Sequence, residues 1–145
     1  MPLLVAVTFG LMGTACGGGA QSASTSTSSS VRLDCTAVSA ERHKIVEAQS
    51  VMVDSGTTAP EQIAAAARQI AAATTALGEL SRPSLPVQTA LWVSTTRSYA
   101  SQIEASSANG TPVSQLLMDA HAFDSHAYVT AAQAVGEFFA GACPG

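Results

Sequence analysis

Aromatic residues are scarce: one Trp, two Tyr and four Phe make up 5% of the 145-residue chain. A core built on large rings is therefore excluded. Charged residues amount to 11%, against about a quarter in ordinary soluble domains. The six Lys and Arg are spread along the chain and form no patch to neutralise phosphates, so no nucleic-acid partner is expected. No apolar run reaches the roughly 20 residues that span a bilayer. Cysteine occurs three times. Against these shortages, 47% of the residues are hydrophobic, too many for a disordered chain. Alanine closes the gap, with 28 positions. It adds little buried area per residue, so the expected core is thin and close-packed, and the length suits one domain.

Residues 1–15 carry no charged side chain and are mostly apolar, ending in the small residues Gly13-Thr14-Ala15 before Cys16. That is the shape of a secretory h-region and cleavage site. The stretch that follows, 17–30, holds three glycines and a Ser/Thr-rich run with nothing to bury against chain entropy. It reads as a flexible tether with a reach on the order of 20 Å. Gly17-Gly18-Gly19 is not a phosphate loop, because no Lys-Ser/Thr follows it.

Gly13-Thr14-Ala15-Cys16 resembles a bacterial lipobox, and the leader with its polar tether resembles the small exported lipoproteins of actinobacteria. The resemblance implies that Cys16 becomes the acylated first residue of the mature protein, anchored in the membrane on its extracytoplasmic face. Assigning Cys16 to lipid leaves Cys35 and Cys143 at the two ends of the remaining domain, 31–145. An oxidising compartment favours their pairing.

Between those cysteines four helical stretches are expected and no strand. The first covers 34–54, before Ser55-Gly56. Thr58-Ala59-Pro60-Glu61 reads as a capping box opening the second, which ends before Arg82-Pro83. Ser84-Leu85-Pro86 opens the third, closed by the Asn109-Gly110 turn, and Thr111-Pro112 opens a fourth that runs to about Ala142. The junctions are short, so neighbours must be antiparallel. The expected fold is an all-α, up-down-up-down four-helix bundle closed by a Cys35–Cys143 disulfide, after a signal peptide and flexible linker.

The expected core faces follow three-four spacing. They are Ile63, Ala66, Ala67, Ile70, Thr74 and Leu77 on the second helix, and Leu85, Trp92, Thr96, Tyr99 and Ile103 on the third. The fourth offers Val113, Leu117, Ala120, Ala127, Ala131, Val135 and Phe138, and the first Val38, Ile45 and Met52. Val87 and Leu91 fall off the apolar face and mark where an exposed partner patch would lie.

Asp119, His121, Asp124 and His126 form the densest ionisable cluster, but on one helix they point to opposite sides. No metal-ligand spacing appears, and no metal or other cofactor is expected. Asp119 and His126 read as solvated, as does His43 beside Glu47. Asp124 falls inside the apolar arc, where a carboxylate needs hydrogen-bond partners. Counted back through the Asn109-Gly110 turn, it lies level with Thr96. Asp124, His121, Trp92, Thr96 and Tyr99 therefore make up a candidate ligand pocket, with a polar pin fixing helix register as the alternative. With no nucleophile elbow and no facing carboxylates, an enzyme is not expected. The reading is a membrane-anchored, non-enzymatic helical domain that contacts another envelope protein; the runner-up is a carrier of a small apolar or lipid-like ligand near Asp124.

Overall fold

Four helices follow one another in the computed structural model, which describes residues 33–53, 58–112, 114–115 and 125–144. They are α1 (Cys35–Val53), α2 (Pro60–Ser81), α3 (Pro86–Ala108) and α4 (His126–Ala142), with no strand among the described residues. All four helices lie within 31–145.

Local chemistry sets the helix ends. Asp34 caps α1, its Oδ1 accepting from the backbone N–H groups of Thr36 and Ala37 at 3.0 and 3.2 Å. The cap of α2 is Ala59 and not Thr58, with Pro60 in the first turn. Alanine has no acceptor, so only the reciprocal half of the box forms: Ala59 N–H donates to Gln62 Oε1 at 3.2 Å. Glu61 takes no part in that half, because it lies one residue short of the position that reaches back. At the end of α3, Thr111 N–H donates to Ser106 C=O and Gly110 N–H to Ser107 C=O, at 3.0 and 3.2 Å. Gly110 has φ +69°, the left-handed conformation such a helix stop requires. The turn read from Asn109-Gly110 is thus a Schellman stop.

The fourth helix departs from expectation. Ser125 is extended, with φ −66° and ψ 131°, and its Oγ accepts from Tyr128 N–H at 3.3 Å. A serine that captures the backbone in this way starts a helix instead of continuing one. The single helix expected over 111–142 is therefore interrupted at Ser125. Val113, Leu117 and Ala120 lie outside the described residues.

Packing is antiparallel throughout: α2 packs along α1 and α3, and α3 along α4. One core cluster joins Ile63, Ala64 and Ala67 of α2 with Ala100 and Ile103 of α3, under Met52 of α1. The other joins Val38, Leu77, Val135 and Phe139 at the opposite end. There the start of α1 meets the end of α4, and Cys35 and Cys143 are disulfide-bonded with Cα atoms 5.4 Å apart.

The buried face of α3 is rotated from the expected one: Thr89, Val93, Thr96, Ala100 and Ile103 are buried, while Trp92 and Tyr99 are half-buried. Ile70 is likewise half-buried, and Ala127 is exposed. The cause is the close approach of α2, where Gly78 is buried against α3. A Cβ on Gly78 would stand 2.5 Å from Val93 Cγ2 and 3.4 Å from Thr89 Cγ2. Just beyond, the buried hydroxyls of Ser81 and Thr89 hydrogen-bond across the two helices at 2.9 Å.

Gly78→Ala therefore sets two effects against each other. Alanine in a helix gains roughly 0.5–1 kcal/mol over glycine, whereas overpacking costs about 1–3 kcal/mol. The clash wins, and denaturant melts are expected to show a net loss of about 1–2 kcal/mol. In a Val93→Ala background the same substitution should instead stabilise, because the space is then open. A stabilising Gly78→Ala in the wild-type background would refute the close approach.

Candidate functional site

The α3–α4 interface carries the polar cluster closest to the expected pocket. Trp92 and Thr96 stand one turn apart on α3, and the Thr96 hydroxyl donates to the Trp92 carbonyl at 2.9 Å. Opposite, the Tyr128 hydroxyl lies 3.4 Å from Thr96 Oγ1. The two hydroxyls thus meet across the interface, and either can supply the proton between them. Burial pushes the Tyr128 phenol above its ordinary range, partly offset by hydrogen bonds to Thr96 and Trp92. The result is a tie between α3 and α4 built from an indole, a phenol and a threonine. Among the described residues, this is a hydrogen-bonded contact between two helices, the kind that fixes their register.

Thr96 is therefore level with Tyr128, four residues beyond Asp124. Asp124, the residue expected opposite Thr96, precedes the helix start at Ser125. Asp124 and His121 lie outside the described residues, as does Asp119. Of the candidate set, Trp92 and Thr96 are brought together, and Tyr99 is not with them. It packs against the core cluster that contains Ile63 and Ile103. Burial pushes the Tyr99 phenol up to about 12.

Tyr128 is not among the expected pocket residues. Its position was legible: Tyr128, Ala131 and Val135 recur at i, i+3 and i+7, one face of a helix starting at Ser125. Missing that start concealed the residue's role.

Both tyrosines make stability fall at alkaline pH. A phenol whose folded pKa lies above its unfolded value of 10 favours the fold below pH 10. That contribution is lost as pH rises from 10 towards about 12, where Tyr99 ionises in the fold. Denaturation midpoints should decline across this window, and Tyr99→Phe should flatten the decline. An identical slope in the variant would remove Tyr99 as the cause.

Elsewhere, a shallow open depression of about 430 Å³ lies between the start of α2 and the end of α3. Glu61, Arg68, Glu104 and Ser107 line it, and Arg68 is paired with Glu104 at 3.8 Å. Both side chains are well exposed, so water screens the pair. His43 pairs with Glu47 at 3.3 Å in solvent, as its position suggested, and exposed Gln133 bonds Glu137 at 2.8 Å. Among the described residues, no three His, Cys, Asp or Glu side chains are arranged to hold a metal ion, and no helix is long and apolar enough to cross a membrane.

No protein-family model, curated protein or solved structure matches this chain.

Proposed function

We propose that the chain is an exported lipoprotein: residues 1–15 direct export, Cys16 takes the lipid, 16–30 form the tether, and the helical domain contacts another envelope protein without catalysing a reaction. The Cys35–Cys143 disulfide carries the reading. It uses the two cysteines of the domain, suits an oxidising compartment, and leaves Cys16 as the odd one. Val87 and Leu91, 73% and 37% exposed and one turn apart on α3, supply apolar surface for a partner.

In a bacterial host that processes lipoproteins, the mature protein is expected to begin at acylated Cys16 and to sediment with membranes. Cys16→Ser should move it to the soluble fraction with its helical spectrum unchanged. A mature N-terminus elsewhere, together with a Cys16→Ser variant still on the membrane, would overturn the anchor. The carrier reading draws on half-buried Trp92 and Tyr128, which hydrogen-bond between α3 and α4. Native mass spectrometry of protein from its own host tests it through a co-purifying small molecule.

A further inference from the structure

We infer that the Cys35–Cys143 disulfide is a redox-operated latch on α1, which detaches from the bundle when the bond is reduced while α2, α3 and α4 stay packed. The inference is independent of the lipoprotein reading.

Burial is the first ground. Two of the 19 residues of α1, Val38 and Ala48, are buried, against nine of 22 in α2. The outward valines Val46 and Val53 are 62% and 74% exposed. Polar ties are the second. A contact from α2 to α1 joins exposed Gln69 Nε2 to the Lys44 carbonyl at 3.4 Å, at the long end of hydrogen-bond geometry. The last helix is held differently: α4 buries Ala131, Val135 and Phe139, and Tyr128 ties it to α3. Of the two elements the disulfide joins, α1 buries two side chains and α4 three.

Accessibility is the third ground, because Cys35 is exposed and Cys143 half-buried. A dithiol reductant can reach the outer sulfur. Its thiolate attacks Cys35 Sγ, the S–S bond breaks, and Cys143 leaves as thiolate. The second thiol of the reductant then closes onto the first sulfur and releases Cys35 as a thiol. The dithiol ends as a cyclic disulfide, having passed two electrons and two protons to the protein. Once α1 departs, Leu77 and Ile63 lose the cover of Val38, Ile45 and Met52. A covalent state at one end of the bundle thereby controls how much apolar surface the domain presents.

Hydrogen–deuterium exchange on the full chain, before and after dithiothreitol, tests the latch. In the reduced protein, amides of α1 are expected to exchange within about tenfold of unstructured rates, while those of α2 and α3 stay slowed at least about a hundredfold. The Cys35→Ser/Cys143→Ser pair should show the same pattern without reductant, which separates the latch from any effect on Cys16. Retained protection in α1 would overturn the inference. So would loss of protection in all four helices together, in the reduced protein or the serine pair, because that is global unfolding.

Discussion

Replacing Cys35 and Cys143 together by serine is expected to lower the thermal midpoint of the domain by about 15–20 °C. The bond spans a sequence separation of 108 residues and joins the first turn of α1 to the end of α4. Closing a loop of that length restricts the unfolded chain by about 4–5 kcal/mol in the chain-entropy model. The native state accommodates it, since the Cα separation of 5.4 Å falls within the usual span for bridged cysteines. Few other features compete with a contribution of this size. Among the described residues, seven of the fourteen buried hydrophobic ones are alanines, each of which removes little surface from water. Calorimetry of the oxidised protein and the serine pair measures the difference. A shift below about 5 °C would mean that the reduced chain keeps its ends together by other contacts.

Phe139→Ala is the second large effect, with an expected loss of about 3–5 kcal/mol. Among the described residues Phe139 is the largest buried hydrophobic side chain, 3% exposed, and packs with Val38, Leu77 and Val135 from three different helices. Its ring also meets Phe138 edge-on, with centroids 5.2 Å apart and planes at 67°. Truncation leaves a cavity where α1, α2 and α4 converge, and alanine neighbours are too short to fill it. Phe138 is half-buried, so Phe138→Ala should cost less. Urea melts of the two variants compare them directly. A larger loss from Phe138→Ala would invalidate the assignment of the core residue.

This pair shows how much of the bundle could be read in advance. Phe138 and Phe139 are adjacent, and periodicity alone selected Phe138. The two choices differ by about 100° of helix rotation. Which residue is buried depends on where α3 and α2 stand, and a single helix does not contain that information. The same holds for α3, where Trp92, Thr96 and Tyr99 looked like one face. In the fold Val93 and Ala100 turn inward, because Gly78 lets α2 come close. Trp92 goes to one core cluster and Tyr99 to the other. The contact of Thr96 with Tyr128 could be foreseen only by knowing that Ser125 begins a helix.

Scarcity of rings, abundance of alanine, four helical stretches and short junctions determined an antiparallel bundle from the sequence by itself. They also placed Cys35 beside Cys143, because an even number of antiparallel helices returns the chain to the end where it started. Those conclusions rest on local propensity and on chain connectivity, which a sequence contains in full. The tertiary structure decided the rotation of each helix about its axis, the contact of Gly78 with Val93, the hydroxyl pair of Ser81 and Thr89, and the tie from Thr96 to Tyr128. These depend on the shapes of two surfaces meeting at once. In an alanine-rich core, where most side chains are nearly alike, one glycine and a few hydroxyls fix which surfaces meet.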